Sequence, residues 1–467
     1  MKDQTVDDNS IPDSLRRAAF LMVLINAFAT PMMLSAVNVA LPGIARSLNI
    51  DAVLLSWVPM VYLMASAMFV LVFGRLADMY GRKRVFLLGT VSVIVSSILA
   101  ALANSGAMLI SARFLQGVSA AMLYATQIAI VTSVFPPQQR GRAIGMTVSM
   151  VYLGLTFGPA AGGFLVEHFG WRASFLLHLP LSAVVLAIAF LKVGGDWKGE
   201  SDGAFDVAGA ISYGLMIVCV CIGAAGLPQG YAFVALGVGI GCLPVFVWLS
   251  RRAEKPLLDI HLFFSNRVFS RSSLAACIMY TATFATVVLV GLYLQFLKGM
   301  SPAHAGLLMM IQPLIMAFLS PLFGRLSDTV EPRLIASLGM GSAGIGLLVL
   351  ASLDSADSTA WLAVGLLLIG LGFSLFSSPN TNAIMSSVER RHFGTASALV
   401  ATMRVLGQMN SMILVALMFA LVIGQVEIVP EHYGALQQAI SYCFAVAALL
   451  CLPGIYFSAV RGTIHNN

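Results

Sequence analysis

Residues 74–112 read GRLADMYGRKRVFLLGTVSVIVSSILAALANSGAMLISA. The first eleven positions hold five charged side chains, in a chain where charged residues make up only 10%. From Val85 to Ala112 there is none. An uncharged run of this length carries a helix across a hydrocarbon core about 30 Å thick. Comparable runs extend from Ala18 to Ala45 and from Ala143 to Val166. In lipid a helix satisfies its own backbone hydrogen bonds, whereas an isolated strand does not. The strong ten-residue alternation of an outer-membrane barrel is missing. The chain therefore reads as an all-α integral membrane protein, with the charged cluster as a turn between two spans.

Composition agrees. Hydrophobic residues make up 59% of the 467 positions, against roughly 45–50% in a soluble domain, and the mean hydropathy is +0.91. A net charge of +6 would suggest nucleic acid in a soluble protein. Here most of the basic residues flank apolar runs, where they orient the chain in the bilayer, and no nucleic-acid partner is expected. The six cysteines (Cys219, Cys221, Cys242, Cys277, Cys443 and Cys451) all lie in apolar runs. Without Cys-x-x-Cys or clustered Cys/His spacing, no disulfide framework, metal site or cofactor is expected. The segment up to Asp13 is polar and acidic, unlike a signal peptide, so the first span reads as the insertion signal.

About fourteen spans can be laid along the chain, an even number that puts both termini on one side. Arg46, Arg172 and Lys298 fall in loops on the far side, Arg113 and Arg404 fall inside spans, and every other Lys or Arg falls on the side of the termini. That imbalance assigns the termini to the cytoplasm, in a plasma membrane or bacterial inner membrane. GRLADMYGRKR after the second span is echoed by GRLSDTVEPRL from Gly324 after the tenth, which marks two repeated bundles of six. The expected division is a cytoplasmic tail at 1–16, an N-terminal six-helix bundle at 17–193 and a cytoplasmic linker at 194–205. Two extra spans follow at 206–250, then an amphipathic surface linker at 251–269, a C-terminal six-helix bundle at 270–460 and a tail at 461–467. Among the expected spans are 172–192, 270–297 and 303–326.

In order and spacing, these motifs resemble the major facilitator superfamily in its fourteen-span drug-exporter branch. The resemblance runs nearly the whole chain. It rests on GRLADMYGRKR, RFLQG from Arg113, GWRASF from Gly170, PLLDIHLF from Pro256, SPNTNAIM from Ser378 and GTASALVATMRVLG from Gly394. The fifth span adds Gly145, Gly154, Gly158, Pro159, Gly162 and Gly163. On physical grounds these small residues let helices approach closely in lipid, and the proline bends the helix. The resemblance implies an exporter, since this segment marks exporters in the family.

In the opening motif, Gly74 permits close helix approach, Gly81 can take positive φ, and Arg82 and Lys83 face anionic headgroups. Asp78 is the lone acid, able to pair with those bases or with a helix N-terminus of the other bundle. The resemblance implies a gating latch on the cytoplasmic side, with Asp328 as its counterpart in the echo. There Glu331 and Pro332 replace Gly81 and Arg82, so the two copies are expected to differ in strength.

Arg113 and Arg404, each costing roughly 2.5–3.5 kcal/mol at a helix centre, need a partner or an aqueous cavity. Gln116 shares the helix face of Arg113 and Gln408 that of Arg404. The resemblance links the fourth-span arginine to proton coupling; near a span end, Arg113 has snorkelling as its other reading. Similar exporters carry an Asp nine residues before the proline of a segment like AVNVALP, and here that position holds Met33. A thioether cannot carry a proton, so two alternatives stand: coupling through His178, Glu167 or Asp78, or export without protons.

A central cavity is expected from Met33, Asn38, Tyr62, Tyr124, Gln127, Tyr152, Gln295, Gln312, Asn380, Asn382 and Gln408, each with helix packing as its alternative role. With no deep acid, a strictly cationic substrate is disfavoured. GMGSAG at 339–344 fits a dinucleotide-binding pattern but lies in an apolar span without a preceding strand, so it reads as packing. The expected function is export of amphipathic or hydrophobic small molecules by alternating access, with the lipid bilayer and a small-molecule substrate as partners and a monomer as the working unit. A specific metabolite or lipid-like exporter or uniporter and a non-transporting receptor are the alternatives. No enzyme constellation can be assembled.

Overall fold

A computed structural model describes residues 12–197, 205–253, 256–258, 263, 265–327, 329–354, 358–388 and 393–462. Its helices form fourteen spans long and apolar enough to cross a membrane. The N-terminal six spans are built from α1 (Asp13–Leu48), α2 (Ala52–Tyr80), α3 (Arg82–Ala101), α4 (Gly106–Val134), α5 (Pro137–Phe169), and α6 (Trp171–Leu176) continued by α7 (Leu179–Lys192). The inserted pair is α8 (Val207–Ala225) and α9 (Gly230–Arg252). The C-terminal six comprise α10 (Arg267–Thr283) with α11 (Thr286–Leu292), α12 (Pro302–Met309) with α13 (Ile311–Leu326), α14 (Pro332–Ala351), α15 (Thr359–Ser386), α16 (Phe393–Met418) and α17 (Tyr433–Ala459).

Three spans are broken helices. The sixth turns at Leu177 and His178, the ninth at Phe284 and Ala285 with a π-helical turn at Tyr293–Leu297, and the tenth at Met310. Polar caps start several helices: Asp51 accepts the amide of Leu54 at 2.8 Å, Asp206 that of Gly209 at 2.8 Å, and Asn266 that of Phe269 at 3.0 Å. Each satisfies an amide that the first turn leaves without an intrahelical partner.

The fifth-span glycines fall into two groups. A Cβ at Gly154 would meet the carbonyl oxygen of Phe28 at 2.3 Å, at Gly158 that of Met32 at 2.7 Å, and at Gly162 the Cα of Ala36 at 2.6 Å. Spaced four apart, these three form one face pressed onto α1. Gly163 faces elsewhere: a Cβ there would lie 2.3 Å from the carbonyl oxygen of Pro302, while one at Gly306 would lie 2.2 Å from that of Pro159. Pro159 and Gly163 thus receive α12 of the other bundle at backbone distance. Gly145 has open space around it.

The contacts near Gly163 belong to a seam closing the end of the molecule away from the termini. There Gln295 donates to the carbonyl of Val39 at 2.9 Å, Ala303 N–H donates to Glu167 at 3.0 Å, and Ala52 N–H donates to the carbonyl of Val426 at 3.0 Å. Arg46 lies over the ring of Phe296 at 5.1 Å. The inserted pair hangs on α2, with Tyr213 donating to the carbonyl of Ala67 at 3.1 Å. Its outer helix presents Tyr231, Phe233, Val234, Ile240 and Trp248 outward, an apolar surface suited to lipid.

Candidate gating and substrate site

At the end of α2 the chain turns on Gly81, whose φ of +119° suits a residue without Cβ. Arg82 folds back on Asp78, with Nε 2.9 Å and Nη2 2.8 Å from the same carboxylate oxygen. Its Nη1 donates to Ser133 at 2.6 Å and to the carbonyl of Ala129 at 3.1 Å, tying α2 to the end of α4. Lys83 reaches the carbonyl of Val193. Gly74 has nothing near its Cβ position. In this structure, closed at the far end, the described partner of Asp78 is therefore Arg82, within its own bundle.

Asp196, too distant in sequence from α3 to signal a cap there, completes the turn. After α7 the chain bends at Gly195 (φ +74°) and aims Asp196 at the start of α3. Its carboxylate accepts the amides of Lys83 at 2.8 Å and Arg84 at 3.3 Å, and Arg82 N–H donates to the carbonyl of Trp197 at 2.8 Å. The start of the linker thus caps α3 from outside. The echo differs: Glu331 stands where Gly81 does but has a φ of −49°, and Pro332 opens α14. Asp328 lies outside the described residues, as do 1–11, 198–204, 463–467 and positions 254, 255, 259–262 and 264 of the 251–269 linker.

Deep in the N-terminal bundle, Arg113 has 0% exposure, so it does not snorkel. Its Nε donates to the carbonyl of Val58 at 3.0 Å and its Nη1 to Gln116 at 2.8 Å. Gln116 donates onward to Ser97 at 2.6 Å and lies 3.7 Å from the sulfur of Met33. The hydroxyl of Ser97 is 3.3 Å from Nε2 of His178, which sits at the break between α6 and α7. Met33, Arg113, Gln116 and His178 therefore share one buried network, joined by Ser97. A lone serine in an apolar span gave no sign of this. Among the described residues no carboxylate joins the network; the charge of Arg113 is met instead by the face of Tyr62, 4.4 Å away.

Tyr62 leads toward the space between the bundles. Its hydroxyl lies 3.2 Å from that of Tyr124, and Arg404 lies 5.7 Å from the Tyr124 ring. Tyr152 bonds to Ser377 of the other bundle at 2.7 Å. Among the remaining cavity candidates, Tyr124, Asn382 and Gln408 are partly exposed. Others are buried. Gln295 serves the far-end seam, the backbone carbonyl of Asn38 lies there beside Gly291, and Gln127 and Gln312 are buried. Asn380 is held inside the C-terminal bundle, donating to the carbonyl of Ser272 at 3.0 Å and accepting from Arg461 at 2.7 Å. Asn382 donates to Ser327 at 3.0 Å. Burial lowers the pKa of Arg461, just beyond α17, to about 10.

The family model for the Major Facilitator Superfamily matches residues 23–412. This chain belongs to that superfamily. Similar relatives include the riboflavin transporter RibZ of Clostridioides difficile (strain 630), 30% identical over 93% of this chain and 95% of the relative. The multidrug resistance protein Stp of Mycobacterium tuberculosis (strain CDC 1551 / Oshkosh) is 33% identical over 79% of this chain and 70% of the relative. Among solved structures, a peptide transporter POT bound to sulfate aligns with a TM-score of 0.70 at 15% identity, covering 96% of this chain and 98% of its own. The human organic anion transporter MFSD10 aligns with a TM-score of 0.65 at 16% identity, over 96% and 100% of the two chains. This superfamily member is a multi-pass membrane transporter with the shared all-α fold.

Proposed function

We propose that this transporter exports amphipathic or hydrophobic small molecules from the cytoplasm by alternating access. The observation that carries the reading is the two-sided α5: one face welded to α1, the other meeting α12 of the opposite bundle at the far-end seam. Such a helix lets one bundle rock against the other while its own bundle stays rigid. In the proposal the bundles at 17–193 and 270–460 are the moving bodies, working as a monomer, with both termini cytoplasmic. The Gly74–Arg84 turn is the gate, and Asp78 exchanges Arg82 for a partner in the other bundle when the far end opens. The similarity to a multidrug resistance protein supports export.

Coupling, where present, runs through the Arg113–Gln116–Ser97–His178 network, since Met33 lacks a titratable group. A second reading, transport of one specific metabolite without protons, is favoured by the similarity to a riboflavin transporter over almost the full length of both chains.

The test is flux through purified protein in liposomes, with and without an imposed pH gradient, across cationic, neutral and anionic compounds. Export predicts flux of several chemically distinct compounds. Flux of one compound alone favours the specific reading, binding without flux overturns transport, and gradient-independent flux overturns proton exchange.

A further inference from the structure

Arg404 lies on α16 and is partly exposed. It makes neither a hydrogen bond nor an ion pair among the described residues, and its guanidinium lies 5.7 Å from the ring of Tyr124, whose hydroxyl is 3.2 Å from that of Tyr62. The two tyrosines come from α4 and α2 and Arg404 from α16, so both bundles contribute. On the other side of the Tyr62–Tyr124 pair stands a second guanidinium, that of Arg113. The helices supplying this cluster, α2, α4 and α16, carry one acid, Asp78, in the last turn of α2. A guanidinium offers five N–H donors in a flat fork and no acceptor. In a low-dielectric setting such a cation is costly until an anion meets it.

We infer that Arg404, Tyr124 and Tyr62 form an anion-recognition subsite. Its substrate class is an organic anion in which a carboxylate or phosphate is attached to a planar aromatic ring. The anionic group takes the fork of Arg404, and the ring lies against Tyr124, with the O–H left over from the Tyr62–Tyr124 pair as a further donor. Both bundles touch this substrate, so its binding bears directly on their relative position. The inference rests on the export reading and adds the charge of the cargo.

The test uses two xanthene dyes of similar shape and opposite charge, fluorescein (anionic) and rhodamine 123 (cationic), with purified full-length protein in liposomes. The expected result is uptake favouring fluorescein, with Arg404→Gln lowering the fluorescein-to-rhodamine ratio by about tenfold or more, as loss of a charge-assisted hydrogen bond implies. Arg404→Lys keeps a charge and retains part of the preference. If Arg404→Gln fails to fold, the wild-type ratio and its decline under competing benzoate test the same point. Wild-type uptake of rhodamine 123 alone, or a ratio unmoved by Arg404→Gln and by benzoate, overturns the inference and leaves the export reading standing. Uptake of neither dye overturns both.

Discussion

The carboxylate of Asp196 accepts the amide of Lys83 at 2.8 Å, although 113 positions of chain separate them. A helix usually finds its N-terminal cap in the residue just before it; α3 receives its cap from the segment that follows the sixth span. The cap position itself, Gly81, has no side chain to offer, and a Cβ there would sit 2.1 Å from Asp196. The turn and the linker therefore form one unit.

Replacing Asp196 with Ala is expected to lower the stability of the purified protein by about 1–2 kcal/mol, as for loss of an N-cap. Asp196→Asn, which keeps an acceptor, loses less. Thermal unfolding in detergent measures both, and unchanged midpoints would show that the amides find other partners.

Two glycines of one motif are expected to respond oppositely. Gly154→Ala forces a methyl against the carbonyl of Phe28 and costs about 1–3 kcal/mol by overpacking. Gly145→Ala meets open space inside the helix and raises stability by about 0.5–1 kcal/mol through helix propensity. The same unfolding measurement separates them; equal losses would contradict the assignment of faces.

Arg113 and Gln116 should behave as a unit. Arg113→Met leaves the Gln116 acceptor unpaired in a dry site, at a cost of about 1–3 kcal/mol. A double-mutant cycle with Gln116→Leu is expected to give a coupling of about 0.5–3 kcal/mol. Strict additivity would mean that the 2.8 Å contact carries no energy.

Met33→Asp places a carboxylate where the thioether now lies 3.7 Å from the Gln116 amide and 3.9 Å from the Ser97 hydroxyl. Both are donors, and Arg113 is one side chain further. The ratio of flux with and without a pH gradient is expected to rise. An unchanged ratio counts against proton passage through this network.

Several of these features are legible in the sequence, each for a local reason. Charge-free runs mark the fourteen spans because each must cross the bilayer core without stranding a charge. The pairing of Arg113 with Gln116 follows from their spacing of three on one helix. The breaks at His178 and Met310 are not legible, because both lie in apolar stretches whose composition does not report backbone angles. Nor is the role of Ser97 visible, since its partners come from α4 and from the break between α6 and α7. Asn380 and Gln295 looked like cavity polarity, yet their acceptors are backbone carbonyls set by tertiary packing.

The two glycine faces of α5 constrain length as well as composition. One residue inserted or deleted between Gly154 and Gly163 turns everything beyond it by about 100°. Gly162 would then leave α1 and Gly163 would leave α12, with side chains taking their places against bare backbone. Side-chain changes elsewhere in this helix need fit only a local space, but its residue count between those points is set by two neighbours at once. Genetic variation in this family member should therefore admit gaps in the loops long before it admits one in this ten-residue stretch.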